Sequence, residues 1–214
     1  MNTYIKNLIK QGEHQQLDFK FEITDSKKIA RSLVAFANTD GGKLLIGVKD
    51  NGAIAGVRSN EEYHMVEAAA QMYCKPQIYF ESKEWTVDGK TVLEIIIPKN
   101  EIVPYYALSN NDKWLVYIRV NDQNLLANRV LLKVWKKQGR KSGIHIKYTE
   151  NEKFLLNYLK TKKQITLSKF CQLAKISRFK AENILINFIV IKIIEIIFTE
   201  KQIYYKLSED YNHT

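Results

Sequence analysis

Cysteine is almost missing. Cys74 and Cys171 stand far apart and neither belongs to a CxxC pair, which argues against a disulfide framework and against a thiolate zinc site. With only 9 Gly and 3 Pro in 214 residues, collagen-like and low-complexity readings are excluded. No run of about 18 uncharged apolar residues occurs, so no transmembrane helix is expected. The most apolar stretch, Ile184 to Phe198, is interrupted by Asn187, Lys192 and Glu195. The opening residues MNTYIKNLIKQGEHQQ lack an apolar signal-peptide core, so the expected location is cytoplasmic. His14, His64, His145 and His213 are scattered without an HExxH-type pair, and a surface role is expected for each.

What remains is the composition of a globular chain, 45% hydrophobic and 26% charged, enough for one medium domain or two small ones. The charge is uneven. Residues 1–122 hold 15 Lys+Arg against 16 Asp+Glu, whereas residues 123–214 hold 18 against 7. The whole basic excess therefore sits in the second part, which suggests a polyanionic partner, nucleic acid first and anionic membrane second. A preference for Lys over Arg, 27 against 6, raises Lys everywhere and does not explain the confinement.

Along the chain, residues 3–11 suit a short helix. Leu17, Phe19, Phe21 and Ile23 alternate with Asp18, Lys20 and Glu22, the period of a half-buried strand. Thr24 or Asp25 can cap a helix to about Asn38. A turn at NTDGG precedes a strand over Lys43–Val48, and the turn Asp50-Asn51-Gly52 leads to a short strand over 53–57. A helix is expected over 61–74, strands near 77–85 and 91–97, and another near 114–120. This reads as a mixed α/β domain with one sheet of five or six strands, ending near residue 122. Residues 125–138 read as an amphipathic helix ended by Gly139, followed by a loop rich in Lys, Gly and Ser. From Thr149 the order is helix, helix, the tight turn Lys175-Ile176-Ser177, helix, hairpin: the order of a winged helix-turn-helix. The expected domains are thus 1–122, a basic helix and linker over 123–147, and 148–214.

Several blocks carry a resemblance: Glu13-His-Gln-Gln-Leu-Asp18-Phe-Lys20, Ala35-Phe-Ala-Asn-Thr-Asp-Gly-Gly42, Leu45-Ile-Gly-Val-Lys-Asp50-Asn-Gly52 and Tyr117-Ile-Arg119-Val. Together they resemble the Schlafen/AlbA-like domain, associated in bacteria with DNA binding and transcriptional regulation, over roughly residues 1–122. The resemblance implies an α+β fold with a mixed sheet, here followed by a small winged-helix domain. Helix-end and turn chemistry accounts for Asn38 to Gly42, and Gly47 inside a strand pattern indicates close backbone approach. Some relatives carry an ATP label, but TDGGK is not GxxxxGK[ST], and Leu44 stands where the hydroxyl belongs, so no ATP site is expected.

The resemblance also implies a catalytic alternative. The nuclease-type Schlafen proteins use three acidic residues, which fall here on Glu13, Asp18 and Asp50. Three carboxylates can hold Mg²⁺ or Mn²⁺ and activate water against a phosphate. Asp18 is one methylene shorter than that pattern's Glu, and the nuclease unit joins two such lobes where this chain has one. Lys20, on the strand face of Asp18, could contact a phosphate or pair with a carboxylate. His14 could carry a proton or simply face solvent.

In the basic half, Arg129, Lys133, Lys136 and Lys137 fall at i, i+4, i+7 and i+8, one helical stripe able to track a phosphate backbone or to be a solvated face. In the third helix of the second unit, Arg178, Phe179, Lys180, Glu182 and Asn183 are expected in the exposed first turns. Arg178 and Asn183 have donor geometry for guanine and adenine edges, and Phe179 has core or dimer contact as alternatives. Lys169, Lys175 and Lys201 could reach phosphates. The expectation is a nucleic-acid-binding protein, with duplex DNA and a homodimer favoured and transcriptional regulation as its role. A metal-dependent nuclease and a pure interaction module are the alternatives.

Overall fold

Residues 3–101, 104–139 and 148–212 are described in the computed structural model, and the chain divides into two compact units, Met1–Ala127 and Asn128–Thr214. Among the described residues no helix is long and apolar enough to cross a membrane.

The first unit begins with α1 (Thr3–Gln11), β1 (Leu17–Lys20), α2 (Ser26–Ala37), β2 (Gly42–Ile46), α3 (Glu61–Met72) and β3 (Cys74–Lys75). It continues with β4 (Glu81–Val87), β5 (Lys90–Ile97), β6 (Tyr106–Leu108), β7 (Trp114–Leu115), β8 (Tyr117–Val120) and β9 (Gln123–Leu126). Asp25 caps α2 by accepting a hydrogen bond from Lys27 N at 2.8 Å, which satisfies a helix-end amide. The main sheet has the order β1-β2-β5-β4. β1 and β2 run parallel, and the other neighbours antiparallel.

This sheet is covered on both faces. Ile29, Leu33, Phe36 and Ala37 of α2 pack with Leu44, Ile46, Leu93, Ile95 and Ile97. On the other face, Ile5 of α1 packs with Leu17, Phe19, Leu45, Val87 and Val92. A strand buried on both sides loses its in–out alternation, so Leu44, Leu45 and Ile46 are all buried. Among the described residues, the single sheet expected from sequence is instead three: the four-stranded sheet, β3-β6-β7 and β8-β9. The strand expected over 114–120 splits at Val116 into β7 and β8, and the one expected over 53–57 is reduced to a bridge between Val48 and Ile54.

The second unit comprises α4 (Arg129–Gln138), α5 (Glu150–Lys162), β10 (Gln164–Ile165), α6 (Leu167–Ala174), α7 (Arg178–Val190), β11 (Ile194–Phe198), β12 (Ile203–Leu207) and α8 (Glu209–Asn212). Its helix starts are legible residue by residue. Asn128 caps α4 through Leu131 N, Thr149 and Glu152 form a capping box on α5, and Thr166 and Ser177 cap α6 and α7. Lys175, in the left-handed region at φ 51°, ends α6 and forces the tight turn before α7. The sheet order β10-β12-β11 is antiparallel throughout.

Residues 123–126, expected as the start of a helix, pair as β9, and the helix begins at Arg129 behind its Asn128 cap. Val130 and Val134 of α4 share one core with Leu155, Phe170, Leu185 and Ile186, so the helix belongs to the second unit. Residues 140–147, the remainder of the expected linker, lie outside the described residues, as do His145 and His213.

Candidate nucleic-acid interface

In the first unit, the strand β1 carries Asp18 into the interior, where it is 3% exposed. The alternation of the sequence places it outward, but the face it occupies is closed by Arg119 of β8. The Arg119 Nη2 lies 3.2 Å from Asp18 Oδ1 and also donates to Leu17 O, while Nη1 donates to Asn124 Oδ1. Lys20 Nζ lies 3.0 Å from Asp18 Oδ2 and donates to Phe19 O. Glu13 faces the same carboxylate and accepts from Phe19 N at 2.9 Å. Burial first, then the hydrogen bond and charge of Asp18, push the Glu13 carboxyl from 4.5 to about 6. Burial alone would raise Asp18, but the hydrogen bond from Glu13 and the charges of Lys20 and Arg119 outweigh it and hold Asp18 below its ordinary range.

Glu13 and Asp18 therefore lie close enough for each to shift the other's ionisation. Asp50 does not join them. It is exposed in a turn held by Gly52 N to Lys49 O and by Ala53 N to Asn51 Oδ1. Among the described residues no group of three or more His, Cys, Asp or Glu is close enough to hold a metal ion. The trio Glu13, Asp18 and Asp50 thus does not fit Mg²⁺ or Mn²⁺. Asp18 is already paired with two cations, Glu13 accepts from the Phe19 amide, and Asp50 belongs to a turn. Lys20 is occupied by Asp18 rather than offered to a phosphate. His14 is satisfied locally: its Nδ1 accepts from Gln16 N at 3.2 Å, and Nε2 lies 3.3 Å from Gln11 Oε1.

Sequence reasoning missed Arg119 as the partner of Asp18. The signal was its presence in the Tyr117-Ile-Arg119-Val block, an arginine in an otherwise apolar strand. It also missed what Asn38 and Thr39 do. Asn38 donates to Tyr105 O and Tyr117 O and accepts from Tyr105 N, and Thr39 Oγ1 accepts from Arg119 N. These residues fasten β8 and the segment before β6 to the end of α2.

In the second unit, α7 is buried on two sides. Ala181, Leu185 and Phe188, spaced as one helical stripe, face the core, and Ile184 packs in the same cluster. Glu182 and Ile186, one turn apart on a different stripe, are 2% and 4% exposed. The second stripe is covered by α4. Lys133 donates to Glu182 at 2.9 Å, and Lys137 donates to Asn187 Oδ1 at 2.5 Å. Glu182 also receives Arg178 at 3.3 Å and Arg129 at 3.6 Å. Burial opposes its ionisation, but the hydrogen bonds from Lys133 and Arg178 and the charges of Lys133 and Arg129 keep its carboxyl below the ordinary range.

Glu182, expected in the exposed turns of α7, is therefore the buried hub of the unit. Much of the basic stripe on α4 is turned toward α7. Arg129 and Arg178 keep side chains 71% and 74% exposed while bridging to the hub. Lys136 is exposed and has no ion-pair partner among the described residues, and the same holds for Lys169, Lys175, Lys180 and Lys201. Lys133, Lys136, Lys137, Asn183, Ile186 and Asn187 line a groove of about 460 Å³ between α4 and α7. Phe179 is not a core residue of this chain. It is 66% exposed, with Lys133 Nζ 5.6 Å from its ring centroid.

Comparison with known proteins adds the following. The family model for Schlafen, AlbA_2 matches residues 13–128. Among solved structures, the DIP2311 protein of Corynebacterium diphtheriae is similar with a TM-score of 0.45 and 22% identity, covering 61% of this chain and 28% of that one. The N-terminal domain of a DNA helicase RecG-related protein from Nitrosomonas europaea is similar with a TM-score of 0.40 and 18% identity, covering 68% of this chain and 97% of that domain. This chain thus matches under a third of the length of the first of these. No protein of curated function matches it.

Proposed function

The chain belongs to the Schlafen AlbA_2 family, and from that premise we propose that it is a nucleic-acid-binding protein whose phosphate contacts are made by its second unit. The observation that carries this reading is the set of exposed cations of that unit without an ion-pair partner among the described residues, Lys136, Lys169, Lys175, Lys180 and Lys201, in the part of the chain that holds the whole basic excess. Cations held without an internal partner are the groups that release counterions from a polyanion. The order of α5, β10, α6, α7 and the β11–β12 hairpin supports a winged helix-turn-helix as their scaffold.

The mode of binding follows from α4. A regulator that reads duplex DNA with α7 lengthwise in the major groove needs the outward side of that helix free. Here Glu182 and Ile186 lie under α4, the first turn with Arg178, Phe179 and Lys180 is exposed, and Asn183 and Asn187 beyond it are half-buried. Backbone tracking is therefore favoured over base reading along the helix. The role that fits is a regulatory or accessory binder, and the carboxylates of the first unit give no support to a nuclease.

The test is a fluorescence anisotropy titration over a range of salt. Binding is expected to weaken steeply as salt rises, with several ions released, and Lys136→Glu is expected to weaken it for all sequences alike. Absence of binding at low salt would sink this reading and favour an interaction module.

A further inference from the structure

We propose that the tip of α7 is a stacking site for an unpaired base and that the α4–α7 groove beside it holds the phosphates of the same strand. This rests on the nucleic-acid reading above and gives it a substrate class, single-stranded nucleic acid. Phe179 sits in the first turn of α7 and presents a ring that is 66% exposed. Lys133 stands over that ring, 5.6 Å from its centroid, and the same ammonium is pinned by Glu182 at 2.9 Å. The ring is therefore held in place by a cation–π contact whose cation is itself fixed.

Asn183 lies one turn further along the same face of α7 and lines the groove with Lys133, Lys136 and Lys137. An exposed aromatic at the mouth of a basic groove is the combination that binds single strands, because every base has a face to stack and every nucleotide a phosphate. Asn183 and Asn187 add side-chain amides able to meet a sugar or base edge. A duplex is a poorer fit. Its major groove, about 12 Å wide, admits one helix, and α4 lies alongside α7 over Glu182 and Ile186. A flexible strand can lie along the open side of this groove without moving either helix.

The experiment measures binding of the full chain to fluorescent oligothymidylate and to a duplex of equal length at low salt, with Phe179→Ala, Phe179→Tyr and Lys136→Glu alongside the wild type. Phe179 and Lys136 are exposed, and melting temperatures establish that the variants fold. The wild type is expected to prefer the single strand. Phe179→Ala is expected to weaken single-strand binding about ten-fold or more while leaving duplex binding nearly unchanged, and Phe179→Tyr to retain it. Equal single-strand binding by Phe179→Ala and the wild type, with Lys136→Glu still weakening both probes, overturns the stacking site and leaves the nucleic-acid reading standing. A wild type that prefers the duplex also overturns it. No effect of Lys136→Glu on either probe removes the reading beneath it.

Discussion

At the scale of single residues, the Asp18–Arg119 pair shows how a site-like cluster can be structural. Two opposite charges at 3.2 Å, both almost fully buried, stay together because either alone would be an uncompensated charge in the interior. Asp18→Asn is expected to destabilise the fold by about 3–5 kcal/mol, read by urea denaturation, because it strands Arg119. A double replacement of both residues by apolar ones of similar volume is expected to recover much of that loss. Glu13 gives a pH signature of opposite sign to its neighbour. Its folded value, about 6, lies above the unfolded 4.5, so its protonated form adds stability that is present below about 4.5 and lost as pH rises through 6. Asp18 is held below 3.8, so its contribution is present above that value and lost as pH falls beneath it. Glu13→Gln keeps an acceptor for Phe19 N and is expected to flatten the urea midpoint between pH 4.5 and 6, which a pH series of melts will show.

At the scale of elements, α7 is an apolar helix because it has two neighbours to satisfy. Ile184, Leu185, Ile186 and Phe188 are all buried, on stripes that no single packing partner could cover. The polar seam between α4 and α7 is organised by one carboxylate serving Arg129, Lys133 and Arg178. Glu182→Gln is expected to have two opposed effects. It should lower stability by about 1–3 kcal/mol, as buried charged hydrogen bonds are lost. It should also tighten nucleic-acid binding at low salt, as three cations lose their internal counterion. Denaturation and anisotropy on the same variant read both, and movement of neither would show that Glu182 is not the hub the geometry makes it.

At the scale of the whole molecule, the chain divides the labour. The first unit is near neutral, with 15 Lys+Arg against 16 Asp+Glu over residues 1–122, and the second part of the chain carries the basic excess. Because Glu13, Asp18 and Asp50 do not gather, Mn²⁺ is expected to leave the melting temperature unchanged, since an ion that stabilises must bind the folded state more tightly than the unfolded one. Chelator is likewise expected to leave nucleic-acid binding intact. A rise in melting temperature with Mn²⁺, lost on replacing Asp50 by Asn, would restore the nuclease alternative.

The sequence by itself determined the local and the compositional. A cap at Thr24 or Asp25 placed the start of α2, Gly47 was legible as a close approach, and the charge count set residues 123–214 apart from residues 1–122. At Gly47, φ is +90° and an added Cβ would lie 2.9 Å from the Gly56 backbone, so the residue type alone carried that information. The tertiary structure decided what long-range partners decide. Asp18 alternates as a surface residue and is buried because Arg119, 101 positions away, closes over it. Glu182 reads as exposed and is buried because α4, from 49 positions earlier, lies across α7. Periodicity reports one packing partner at a time, and it fails at both places because a second partner arrives from far along the chain.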